Sequence, residues 1–283
     1  YAFMTAQRMV VTYTEGGRWK MALIETEPRK FEPLDLRFEP LESVRANRQA
    51  VYFIGGSPTE PPAIARMTFA AAEVEVLRSS TTDRIDPAWI SVPEPVTYMS
   101  GDHEVHAFHY APRNPNFVAP EDERPPLLVL SHGGPTGATT DVLDGRIQFW
   151  TSRGFAVLDV NYSGSSGYGR AYRDRLKGQW GIVDVADCVD GARHLVAAGK
   201  ADPNRLIIRG GSAGGYTTLA ALTFHDVFKA GASYYGISDL EVLARDTHKF
   251  ESRYMESLVG PYPGKKDVYV QRSPIHYTDR LSS

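Results

Sequence analysis

The sequence predicts an α/β protein with a mostly parallel, doubly wound sheet, preceded by a smaller all-β part, and three observations carry that prediction. Up to about Ile90 the apolar residues fall in short runs broken by Gly-Gly and Pro. Beyond Leu127, unbroken Val/Leu/Ile runs alternate with stretches of helical period. Between the two lies a hairpin-like pair followed by a polar loop.

In the first part, Met9 to Thr14, Trp19 to Glu25, Val51 to Ile54 and Val74 to Leu77 read as strands separated by turn signals, with no convincing helix and no clean internal repeat. Val96 to Met99 and Glu104 to Tyr110 then form two strands around the turn Ser100-Gly101-Asp102. Ala111 to Pro126, rich in Pro, Asn and acidic residues, belongs on the surface.

The later runs are Leu127 to Leu130, Phe155 to Val160, Leu206 to Ile208 and Ala230 to Tyr235. Such strands need cover on both faces, as in a parallel sheet. The clearest helix starts near Ile182, places Val185, Val189, Ala192, Leu195 and Val196 on one face, and stops near Gly199. Asp184 and Asp187 in its first turns suit the positive end of the helix dipole. The expected division is 1–90 and 91–283.

Composition narrows the function classes. The 283 residues are 42% hydrophobic and 23% charged, as in ordinary globular proteins. A formal charge of −3 with no dense basic block argues against nucleic acid and anionic membranes as partners. No run reaches the roughly 18 apolar residues of a membrane span, and no signal peptide is recognisable, so a cytoplasmic location is expected. The single cysteine, Cys188, rules out an internal disulfide framework and reads as a buried helix residue.

Chemistry enters at Arg209-Gly210-Gly211-Ser212-Ala213-Gly214-Gly215, a G-x-S-x-G pattern between an apolar strand and a helical stretch. This is the context of a nucleophile elbow, where the turn is so tight that residues around the serine must be small. Ser212 is therefore the expected catalytic nucleophile. A second Gly-rich loop, Ser131-His132-Gly133-Gly134-Pro135, also follows directly on a strand. Its Gly134 N–H and the Ala213 N–H are the natural pair for an oxyanion hole.

These segments together resemble the prolyl oligopeptidase family of serine peptidases. Further matches are Val96-Thr-Tyr98 with Asp102 and Val105-His-Ala107, then Asn161-Tyr-Ser-Gly-Ser-Ser-Gly-Tyr-Gly-Arg170, Trp180-Gly181 and Asp184. Histidine at the start of the H-G-G-P loop is similar to the acylaminoacyl-peptidase and aminopeptidase branch. The resemblance implies an α/β-hydrolase fold lacking its last strands here, with residues 1–90 as the end of a β-propeller. It implies hydrolysis of peptide or other small amide substrates without metal or organic cofactor, and contact of Ile237, Leu240 and Leu243 with the acyl-side residue, with an exposed loop or plain core packing as the alternatives. It also implies a triad aspartate and histidine after the nucleophile. Neither is visible, so both are expected beyond Ser283, and this fragment alone is expected to be inactive.

Other signals point elsewhere. His225, His248 and His276, with Asp239 and Asp246, read as structural or exposed groups rather than triad members. His103, His106 and His109 miss the H-E-x-x-H spacing, and on a strand His106 faces away from the other two. Gly164-Ser-Ser-Gly-Tyr-Gly169 matches no nucleotide-binding loop. The rival functions are a carboxylesterase-type hydrolase and an inactive scaffold serving as a binding module. Residue preference, free against blocked N-terminus, and homo-oligomer formation stay open in the sequence.

Overall fold

The structure, a computed structural model, describes residues 1–71, 73–249, 251 and 253–281. It divides into two compact units, Tyr1–Val92 with Thr140–Gln148, and Pro93–Thr139 with Phe149–Ser283.

The first unit holds two four-stranded antiparallel sheets in chain order: β1 (Ala2–Phe3), β2 (Arg8–Glu15), β3 (Arg18–Glu25) and β4 (Lys30–Leu34), then β5 (Glu39–Ala46), β6 (Ala50–Ser57), β7 (Glu60–Thr68) and β8 (Val74–Ser79). Strand alternation is plain in β7, where Ala63, Ala65 and Met67 are buried and Ile64 between them is exposed. Val10, Met21, Val51 and Phe53 share the same core.

Segment Thr140–Gln148 also belongs to this unit, which corrects the expected boundary, since the sequence reading placed it with the α/β part. The physical reason is a set of specific bonds. Leu143 N–H donates to the Ser57 carbonyl at 2.8 Å, and Gln148 exchanges two hydrogen bonds with the Ser91 backbone. The buried Asp141 pairs with Arg18 at 2.6 Å. Glu39, whose carboxylate accepts the Trp19 N–H, is pushed up to about 8 by burial and by the neighbouring Asp141.

In the second unit, β9 (Glu94–Ser100) and β10 (His103–Tyr110) form an antiparallel hairpin. There follow β11 (Leu127–Ser131), α1 (Gly145–Thr151), whose first residues belong to the first unit, β12 (Ala156–Asn161), α2 (Arg170–Asp174) and α3 (Val183–Ala197). Next come β13 (Leu206–Gly211), α4 (Ala213–Phe224), β14 (Ala230–Tyr234), α5 (Leu240–Asp246), α6 (Tyr254–Leu258) and α7 (Lys266–Gln271). One six-stranded sheet runs β14-β13-β11-β12-β10-β9. The pairs among β11 to β14 are parallel, and the β9–β10 hairpin joins β12 antiparallel. The sheet is thus parallel in four strands of six.

Every residue of β12 is buried, as a central strand covered on both faces requires. Helices α3 and α4 pack against each other and share β11, so Val185, Val189 and Leu195 join Tyr216 and Ala220 in one core. Asp187 corrects a reason given from sequence. Its carboxylate accepts the Ser163 N–H at 2.6 Å and meets His103 Nε2 at 3.0 Å, so it fastens α3 to the loop after β12 and to β10 instead of serving the helix dipole. Among the described residues, no helix is long and apolar enough to cross a membrane.

Candidate active site

The order of the sheet creates the site. β11 has β12 on one side and β13 on the other, so chain direction across the sheet reverses there, and ligands favour the crevice beyond the strand ends at such a point. Ser131 at the end of β11 pairs in register with Gly210 on β13. The loop His132-Gly133-Gly134 and the turn at Ser212 therefore leave adjacent strands at the same level.

Ser212 sits between β13 and α4 with φ 55° and ψ −120°, a strained conformation for a residue with a side chain. Its backbone is held at both ends: its N–H donates to the Tyr234 carbonyl at 3.0 Å, and its carbonyl accepts the Tyr216 N–H at 3.0 Å. The residue is exposed. Two glycines make the turn sterically feasible. A Cβ on Gly214 would collide with the Ser131 carbonyl, and one on Gly210 with the Gly214 carbonyl. The Ser131 hydroxyl uses this closeness, donating to the Gly214 carbonyl at 2.9 Å.

Gly133 approaches so closely that a Cβ there would lie 3.6 Å from that of Ser212. Gly134 has φ 109°, a region that favours glycine. Among the described residues, neither the Gly134 N–H nor the Ala213 N–H donates to a protein acceptor. Ala213 is the first residue of the 12-residue α4, where unpaired amides and the helix dipole favour negative charge. The site thus offers a hydroxyl beside two unspent N–H donors.

The carbonyls of the β11 loop are, by contrast, largely engaged. His132 O accepts from the Tyr162 hydroxyl at 2.8 Å, Gly133 O from His132 Nδ1 at 2.9 Å, and Gly134 O from the Tyr254 hydroxyl at 3.0 Å. Thr136 O and Gly137 O accept from the side chain and N–H of Ser166. The His132 ring stacks on Tyr162 with centroids 4.3 Å apart, and its Nε2 lies 2.7 Å from Ser165 Oγ. Burial pulls its pKa down to about 4, so it is neutral at pH 7. Since a carbonyl only accepts, Nδ1 carries the hydrogen.

Behind the turn, the fully buried Asp184 accepts from Gly181 N–H at 2.6 Å and from the Thr217 hydroxyl at 2.7 Å, tying α3 to α4. Burial, more than any neighbour, raises its carboxyl to about 6.

Of the three residues expected beside the acyl group, Leu240 has no exposed surface and lies in the core, while Ile237 and Leu243 pack half-buried at its margin. In this conformation only those two offer surface. Among the described residues, no hydrogen bond joins the Ser212 hydroxyl to an imidazole. His225 is half-buried, His248 faces Glu251 at 3.7 Å, and Asp239 caps α5 by accepting from Glu241 and Val242 N–H. His103 is bonded to Asp187, His106 stacks on Tyr168, and His109 is paired with Glu94. Tyr254 was missed from sequence because it lies in no motif, while Ser165 and Ser166 fall in the stretch 161–170 already singled out but were given no role; only the fold brings all three to the loop.

Fold and site together define an α/β protein with a serine on a strained strand-to-helix turn at the reversal point of its sheet. Residues 142–283 match the model of the prolyl oligopeptidase family, half of the chain, and the chain belongs to that family. It is 33% identical over 163 residues to dipeptidyl aminopeptidase BIII of Pseudoxanthomonas mexicana, covering 55% of this chain and 24% of that protein. To the acylamino-acid-releasing enzyme of Arabidopsis thaliana it is 31% identical over 170 residues, covering 56% and 22%. The structure of a puromycin-hydrolysing peptidase of Mycobacterium tuberculosis superposes with a TM-score of 0.95 at 44% identity, covering all of this chain and 44% of that one. The matched stretch spans about a quarter of the curated relatives.

Proposed function

We propose that the protein is a serine peptidase in which Ser212 attacks the carbonyl carbon of an amide bond. The observation that carries the reading is the strained, exposed Ser212 flanked by the unspent N–H groups of Gly134 and Ala213. Attack forms the Oγ–C bond while the hydroxyl proton passes to an imidazole, and the carbonyl oxygen becomes an oxyanion bound by the two amides. Collapse breaks the C–N bond as the amine leaves with that proton. Water then releases the acyl group by the reverse sequence.

The second unit is read as the first part of an α/β-hydrolase fold, and the two four-stranded sheets of the first as blades of a β-propeller. His103, His109, His132 and His248 have partners elsewhere, and no described histidine is hydrogen-bonded to Ser212, so the general base and its aspartate are assigned outside residues 1–283, and these residues alone are read as inactive. The relatives, an aminopeptidase, an acylamino-acid-releasing enzyme and a peptidase, favour an amide of an oligopeptide or acylaminoacyl substrate over an ester.

Fluorophosphonate labelling of the natural protein that carries this chain is the test. Label is expected on Ser212, with loss of labelling and of peptide hydrolysis in Ser212→Ala. A natural protein that takes no label would mean that Ser212 is not an activated nucleophile.

A further inference from the structure

We infer that Tyr254 is a positioning residue for the proposed reaction, holding the oxyanion-binding loop in shape through the carbonyl of Gly134. The inference rests on the reading of Ser212 and Gly134 given above. Gly134 has no side chain to anchor it, and its φ of 109° lies where glycine moves freely. The next residue is Pro135, which has no N–H. The peptide between them can therefore be held by a hydrogen bond only at its carbonyl oxygen, and that oxygen accepts from the Tyr254 hydroxyl at 3.0 Å.

The phenol is itself oriented. Thr136 Oγ1 lies 2.9 Å from the Tyr254 oxygen. Because Tyr254 gives its one hydrogen to Gly134, Thr136 is the donor of the second bond, and the two bonds run in one direction and polarise each other. Burial raises the Tyr254 phenol above its ordinary value, so it remains a donor. Its helix is no loose arm: Met255 and Leu258 of α6 are buried in the core, and the Ser257 and Leu258 carbonyls accept from Gly178 and Trp180 N–H. Tyr254 thus transmits the position of a packed helix to the Gly134-Pro135 peptide, the part of the loop that the bonds from Tyr162 and Ser166 leave unheld.

The clamp acts on the N–H of Gly134 through one residue of backbone, so its loss should matter less than loss of an oxyanion donor, which lowers kcat by about 10²- to 10³-fold. In the natural protein carrying this chain, Tyr254→Phe is expected to lower kcat about tenfold with KM within about twofold, as for an interaction made mainly in the transition state. The rate of fluorophosphonate labelling at Ser212 should fall in parallel. A peptidyl boronate, whose tetrahedral adduct places an oxygen where the oxyanion forms, should bind correspondingly more weakly. Thr136→Val, which leaves the ring untouched, should shift kcat in the same direction by less, and Thr136→Ser should restore it. This pair decides the matter should Tyr254→Phe fold poorly.

Wild-type kcat in Tyr254→Phe, or a change confined to KM, would overturn the clamp while leaving Ser212 as nucleophile. Absence of label on the wild-type protein would instead overturn the reading on which the clamp depends.

Discussion

Replacing Asp184 by asparagine should stabilise the protein at pH 7, with the gain disappearing as the pH is lowered towards 4. Asp184 is fully buried, and its carboxyl is raised from an ordinary 3.8 to about 6, chiefly by burial and against the pull of its bonds from Thr217 and Gly181. A folded-state value above the unfolded one means that the group's contribution to stability is complete below 3.8 and is lost as the pH rises through about 6. At about 1.4 kcal/mol per pKa unit, the ionised carboxylate costs about 3 kcal/mol at neutral pH. Asparagine is neutral throughout and keeps an oxygen for the Gly181 N–H. Its amide N–H then faces Thr217, whose hydroxyl turns to the Ala213 carbonyl already 3.2 Å away. Allowing about 1 kcal/mol for imperfect geometry, the net gain at pH 7 is about 2 kcal/mol.

Urea denaturation of both proteins between pH 4 and pH 7.5 measures this difference. The wild-type curve alone would mislead, because His132 acts in the opposite sense. Its value, lowered from 6.5 to about 4, supplies stability that is present above 6.5 and lost as the pH falls through 4. A variant less stable than wild type at pH 7, or a difference that does not change with pH, would refute the argument.

Two further outcomes are expected. Gly214→Ala drives a methyl group into the Ser131 carbonyl, a backbone atom that no rotamer change can move aside, and should destabilise by about 3 kcal/mol and lower kcat, as read by thermal melting and peptide hydrolysis. Glu39→Gln should remove a loss of stability in the first unit as the pH rises through about 8, where the wild-type carboxyl ionises beside Asp141; hydrogen exchange of the β5 and β6 amides between pH 6 and 9 reads the slope.

Much of the α/β part was legible because its signals are local. The hydrophobic face of α3 gave a helix from Ile182 to Gly199, observed as Val183–Ala197, and the unbroken apolar run of β12 gave a strand covered on both sides. The small residues around Ser212 gave the turn, because the crowding that demands glycine is itself a short-range property. What escaped depends on distant parts of the chain. The attachment of 140–148 to the first unit rests on a backbone bond to Ser57 and an ion pair with Arg18, neither of which leaves a periodic trace. Tyr254 meets Gly134 across 120 residues, and Asp187 meets His103 across 84. Leu240, read as a pocket residue or core, could be placed only once the packing around α5 was seen.

The discontinuity of the first unit matters to anyone who would cut this protein into parts. The chain passes between the two units three times, after Val92, Thr139 and Gln148, so one protease cleavage or one deletion cannot separate them. A polypeptide begun at Pro93 would carry nine residues whose home had been removed, with Val142 and Leu143 newly wetted and Asp141 stripped of Arg18. A usable dissection would have to replace 140–148 with a short polar bridge, or keep both β-sheets.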